Sequence, residues 1–342
     1  MRTPVACLPL LLLAACPGAI DGASRGDDDT RDDANGGCDD VGGCADAGPR
    51  APDARPGGTP DAAPNPGSPD AGPPPDPRCY TEPVFPDADL SDLEAAFTGS
   101  NWKSTALAVL ARRWPAGHAL LDAMKDDPQL PGFVDSSSFA ALMESLMTMV
   151  HEETHGWDYE MALGSADFAY FLRADLTFTP PKIDGFPRGE IYSMVEGGGT
   201  SLYDGTYLTG TQGTYGWYEL LDEANCYING MAALAVVGEY EPWGISARDG
   251  AVAFLYYLEL YLARARTVYP ALYAQLKAEP EYVELVKTQW LRTHFFLGYA
   301  DRFPGLGISD DEIEPYLYAP ANEREIELFI GAEVAASSCL VP

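Results

Sequence analysis

Histidine is scarce in this chain: its 342 residues include four. Basic residues are scarce as well, with 21 Lys and Arg against 52 Asp and Glu, for a formal net charge of −31. A surface this acidic repels nucleic acid and anionic lipid headgroups, which argues against both as partners. Long apolar runs are missing; the one near the start, Cys7 to Ala15, is too short to span a bilayer permanently. Of the seven cysteines, no two have the C-x-x-C spacing of a structural zinc site. Aromatic residues are absent from 17–78, where Asp, Gly, Pro and Ala dominate. Such a segment cannot bury enough apolar surface to offset its ordering entropy, so it reads as a disordered tether.

What is present begins with Arg2 and the apolar run, which suits a secretory signal peptide over residues 1–15. The run ends in Leu13-Ala14-Ala15-Cys16, which resembles the lipobox of bacterial lipoproteins. That resemblance implies cleavage before Cys16, lipid on its thiol, and a membrane partner reached through the anchor. Pro17 stands where Asp would signal inner-membrane retention, so the resemblance implies an outer-membrane, extracytoplasmic location. The tether then covers 16–78, and its proline-rich part, Pro64 to Pro77, should be extended. The acidic runs Asp27-Asp28-Asp29 and Asp32-Asp33 lack the alternating spacing of a calcium loop. Cys38 and Cys44 can close a small loop in the tether. Cys79 and Cys339 bracket the remainder and can staple its ends; sequence alone does not decide the pairing.

From Cys79 onward aromatic and aliphatic residues rise, and residues 79–342 read as one domain. Helical spacing of apolar residues predicts helices over Asp89–Ala96, Trp102–Trp114 and Gly117–Lys125. A longer helix, capped by Asp135 or one of Ser136 to Ser138, runs to about Trp157. Phe168 to Phe178 reads as a strand stopped by Pro180-Pro181, with Glu190 to Val195 as a second strand. A glycine-rich stretch, Gly197 to Gly216, carries Tyr203, Tyr207 and Tyr215; it reads equally as a mobile site-lining segment or a surface loop. Helices follow over Trp217–Val237, Ala247–Ala265, Pro270–Lys277, Tyr282–Tyr299 and Asn322–Val334. The expected class is mainly α (α+β), with a small sheet or β-hairpin before the glycine-rich stretch.

Two of the four histidines fall in His151-Glu152-Glu153-Thr154-His155, an H-E-x-x-H run on the long helix. Residues four apart on a helix point the same way, so both imidazoles can hold one Zn²⁺ with Glu152 beside it. Phe139, Met143, Leu146 and Val150 form the apolar stripe of this helix, and the histidines project roughly 110–150° from it. The run resembles the zinc-binding helix of the zincin metallopeptidases. The resemblance implies His151 and His155 as zinc ligands, Glu152 as general base, and a peptide or protein as substrate. Glu153 departs from the family pattern, whose inner positions are usually uncharged; a solvent-facing side chain would accommodate it. The metzincin extension fails, because Asp158 and Met161 hold its glycine and third-histidine positions.

The third ligand should then be a carboxylate from a second helix, as in the gluzincin branch. Trp217 to Tyr227 offers Glu219, Asp222 and Glu223. The apolar face centres on Leu220, Ala224, Ile228 and Met231; Glu223 lies about 90° from that centre and Glu219 about 130°. Glu223 is preferred, Glu219 is the alternative, and Asp222 is expected to point into solvent. Asp158 or Glu160 would compete if Gly156 bent the helix. Tyr227, one turn beyond Glu223, and His294 are candidates to stabilise a developing oxyanion; His118 reads as structural. The alternative to a peptidase is a non-catalytic surface lipoprotein on a zincin-like scaffold that binds a protein or glycan.

Overall fold

A computed structural model describes residues 79–196, 202–241 and 245–334. The signal peptide, the tether and Cys16 lie outside the described residues. The order begins α1 (Ser91–Ala96), α2 (Trp102–Arg113), α3 (Pro115–Met124) and α4 (Phe139–Met161). Strands β1 (Tyr170–Arg173) and β2 (Leu176–Phe178) follow. Then come α5 (Leu202–Tyr207), α6 (Trp217–Ala235), α7 (Ala247–Val268), α8 (Pro270–Ala278), α9 (Pro280–Ala300), α10 (Asp310–Leu317) and α11 (Pro320–Ile330). The fold is mainly α, with one two-stranded antiparallel sheet among the described residues.

Local chemistry sets the helix ends. The Ser138 hydroxyl accepts from the Ala141 N–H at 3.1 Å and opens α4. Helices α3, α8, α9 and α11 all have Pro at the first helical position, where its missing N–H costs nothing and its φ is already helical. Three of these start two residues before the position that the spacing predicts, at Pro115, Pro280 and Pro320.

Helix α6 is the centre. Every residue from Leu220 to Ala235 is buried, the pattern of a helix surrounded on all sides. Helix α4 packs on one flank, α7 and α9 on others; α2 and α3 back α4, and α10 and α11 cover α7. Gly230 lets α4 and α6 approach closely: a Cβ there would sit 3.1 Å from the Met147 carbonyl oxygen and 3.4 Å from His151 Cβ. The histidine-bearing side of α4 is therefore turned toward a second buried helix.

The middle segment differs from expectation. Phe168 to Phe178 is a hairpin rather than one strand, turning at Ala174-Asp175, with Tyr170 opposite Phe178 and Phe171 opposite Thr177. Residues 190–195 are no strand: Arg188–Met194 is a 3-10 helix following Pro187. The Arg188 N–H is taken by the Tyr215 carbonyl and the Glu190 N–H by Pro187, which leaves no ladder for a partner strand. The glycine-rich stretch is not a plain surface loop either. Its described part holds α5, and Tyr203 and Tyr207 are buried in the core. Residues 197–201 lie outside the described residues.

Cys79 is disulfide-bonded; Cys38, Cys44 and Cys339 lie outside the described residues, and Cys226 is free and buried. No helix among the described residues is long and apolar enough to cross a membrane.

Candidate metal centre

Helices α4 and α6 bring His151, His155 and Glu223 together, with one donor atom from each within 4.8 Å of the others. Glu223 Oε2 lies 3.9 Å from His151 Nε2 and 3.6 Å from His155 Nε2. Donors on a tetrahedral Zn²⁺ at bonds of about 2.0–2.1 Å stand ~3.4 Å apart, so these two edges are about 0.5 and 0.2 Å longer than those of a ligand cage. Glu223 Oε2 is buried and has no hydrogen-bond partner. A buried carboxylate oxygen that faces two imidazole nitrogens without a hydrogen bond to either is an arrangement that a cation among the three groups would satisfy.

The tautomer of His155 supports the same fit. Its Nδ1 lies 2.7 Å from Asp222 Oδ2, so a proton belongs on Nδ1, and Nε2 is the nitrogen turned toward Glu223. Asp222, expected in solvent, is in fact 1% exposed. The error came from assigning α6 a single apolar face, whereas this helix is enclosed all round. Asp158, in turn, is hydrogen-bonded to Asp222. It also accepts from the Phe171 N–H at 2.7 Å and from Asn225 Nδ2 at 3.1 Å. Helix α4 continues through Gly156 to Met161, so Asp158 serves this network and Glu160 is exposed.

Protonation states follow from burial and neighbours. Burial, reinforced by His155, pushes His151 down to about 3, so it is a neutral imidazole at pH 7. Burial would lower His155 too, but Cys226, Asp222 and Glu223 around it raise it well above the ordinary histidine value. Burial opposes ionisation of Glu223, yet His155, Arg188 and His151 hold it below the usual glutamate value. Burial and the adjacent Asp222 raise Asp158 well above the carboxylate range; its proton serves the bond to Asp222.

The other sequence candidates are placed as follows. Glu152 is partly exposed on α4, between the two histidines in sequence. Glu219 caps α6, accepting the Gly216 N–H at 2.9 Å. The Tyr227 ring packs edge-on against His151, with centroids 4.5 Å apart, and its hydroxyl pairs with that of Tyr207 at 2.6 Å. His294 bonds the Trp290 carbonyl at 2.7 Å and packs beside Trp290 and Tyr318, none of which belongs to this cluster. His118 sits on α3. Glu153 is not in solvent: it is 2% exposed, with one oxygen unpartnered. Burial, with Asp127 and Glu152 adding, pushes it up to about 8, so it is mostly protonated at neutral pH and a charge inside the motif is avoided.

Two functional neighbours escaped the sequence reading. Cys226 forms a second group of potential donors with His155 and Asp222, but burial holds its thiol well above the ordinary value. Arg188 is fully buried with Nη2 3.8 Å from Glu223 Oε1. The signal for it was present: one of few basic residues, set just before a tyrosine-rich segment in an acidic chain. No protein-family model, curated protein or solved structure matches this chain.

Proposed function

We propose that this chain is a zinc-dependent metallopeptidase of the zincin type, held to the cell envelope through lipid on Cys16. The observation that carries the reading is the convergence of His151, His155 and the unpartnered Glu223 Oε2 from two helices. Two imidazoles, His151 already neutral and His155 giving up its Nε2 proton on binding, and one carboxylate are a ligand set suited to catalytic zinc, with a position left for water or substrate. When bound, zinc would supply Lewis acidity to water and to a carbonyl oxygen. Glu152, one residue from His151 and partly exposed, is suited to accept a proton at its carboxylate and to return it to a leaving amine. Asp222 fixes the His155 ring and Asp158 holds Asp222. The substrate side is a peptide or protein; the acidic surface disfavours nucleic acid.

The test uses the zinc-loaded full chain and a mixed peptide library, with cleavage followed by mass spectrometry. Wild type is expected to cleave peptides, and Glu152→Gln to retain zinc while losing on the order of 10²–10⁴ in rate. Zinc retention without cleavage of any peptide would favour the non-catalytic binding role. Full activity in Glu152→Gln would overturn the assignment of the base.

A further inference from the structure

The two oxygens of Glu223 face different partners. Oε2 faces the histidine Nε2 atoms, at 3.9 and 3.6 Å, while Oε1 faces Arg188 Nη2 at 3.8 Å. Arg188 is itself held at Nε and Nη2. Its Nε donates to the carbonyls of Tyr207 at 3.0 Å and Gln212 at 2.9 Å, and Nη2 donates to Gln212 Oε1. The guanidinium lies over the rings of Tyr207, Tyr215 and Phe254, 5.3, 5.4 and 5.9 Å from their centroids. Nη1 is buried and has no partner. At 0% exposure the side chain is sealed from solvent, so what it does must pass through the groups it faces.

We propose that Arg188 is the positioning residue of the third metal ligand, engaging Oε1 of Glu223 so that Oε2 alone is presented to the metal. The inference rests on the zinc-site reading above. A carboxylate with both oxygens unclaimed can rotate or chelate through both. A planar guanidinium anchored to two carbonyls sets the plane and leaves one oxygen for the metal. The same anchor couples the site to the segment around α5. Arg188 is tied to the Tyr207 and Gln212 backbone, and the Tyr207 hydroxyl reaches Tyr227 on the His151 ring.

The test is zinc affinity of the full chain by chelator competition, with metal-free unfolding midpoints as the control for folding. Arg188→Gln is expected to weaken zinc about 10–100-fold, the range for loss of a group that orients a ligand. Arg188→Lys should recover part of that loss, since it restores the charge without the fork. A merely structural role would weaken zinc equally whether or not Glu223 is present. Here, adding Arg188→Gln to Glu223→Ala should cost little further affinity. Gln212→Ala, which removes one anchor and leaves the guanidinium, covers the case in which Arg188→Gln does not fold and should weaken zinc several-fold. Wild-type affinity in Arg188→Gln, or in both Arg188→Lys and Gln212→Ala, would overturn the proposal. So would an undiminished loss in the Glu223→Ala background. A wild-type chain with no zinc affinity would instead defeat the underlying reading of the site.

Discussion

His155 Nδ1 and Asp222 Oδ2 are 2.7 Å apart, and that one bond decides which imidazole nitrogen faces Glu223. A ligand histidine with a free ring can flip or change tautomer; one held by a buried carboxylate cannot. Asp222→Asn keeps the shape but gives up the charge that makes the ring a better donor. It is expected to weaken zinc about 10–100-fold, with the metal-free unfolding midpoint little changed. Chelator competition on the two full chains is the check, and unchanged affinity would remove Asp222 from the account.

Tyr227 carries an oxyanion-stabilising expectation that its surroundings now bear on. Its hydroxyl is paired with Tyr207 at 2.6 Å and the residue is 1% exposed. Tyr227→Phe should lower stability by about 1 kcal/mol, the net value of one buried hydrogen bond, and leave kcat within about tenfold. A loss of 10²–10³ in kcat, the size seen on removing an oxyanion donor, would restore the catalytic role.

The Tyr227 ring is also what fills the space left by Gly250. A Cβ at Gly250 would lie 2.0 Å from Tyr227 Cδ1 and 2.3 Å from Cε1, far inside contact distance. Gly250→Ala must displace a ring packed against His151 and Phe254. The helix-propensity gain of about 1 kcal/mol is expected to be outweighed by overpacking, for a net destabilisation of roughly 1–2 kcal/mol. Denaturant unfolding measures it, and a stabilised variant would show that α6 and α7 separate easily.

Glu259, on α7, is wholly buried with neither carboxylate oxygen hydrogen-bonded. Burial, with Glu323 and Glu325 adding, pushes it up to about 10 from a reference of 4.5. The folded state therefore keeps a proton that the unfolded state releases. Its contribution is fully present below pH ~4.5 and declines as pH rises toward the folded value near 10. Glu259→Met removes that titration. The stability gap between variant and wild type should widen in favour of the variant from pH 5 to pH 8, by on the order of 3 kcal/mol. Parallel unfolding curves at both pH values, with a constant gap, would contradict it.

Much of the helical order was legible because apolar residues recur at the helical period in long segments such as α4, α6 and α7. Helices α3, α9 and α11 start two residues earlier than the spacing predicts, at Pro115, Pro280 and Pro320, because a proline at the first helical position belongs to the first turn without adding to the apolar period. Helix α10 escaped notice: eight residues long with Pro315 inside, it has too few turns to show a period. At the centre, the H-E-x-x-H spacing gave His151 and His155; the zincin resemblance implied a carboxylate from a second helix, and helical phase preferred Glu223 with Glu219 as the alternative. Helical phase could not give Asp222, because a period identifies a face only when one face is wet, and α6 has none among Leu220–Ala235. Arg188 could be singled out by its rarity but not placed, since it comes from outside both helices and meets Glu223 only through tertiary packing.

The central claim is that one divalent ion binds between α4 and α6. Zinc titration of the metal-free full chain, read by calorimetry, tests it most directly. The account predicts one equivalent per chain, bound tightly by wild type, lost in His151→Ala and severely but measurably weakened in Glu223→Ala. No tight site in the wild type, or a site that survives His151→Ala unchanged, would contradict it.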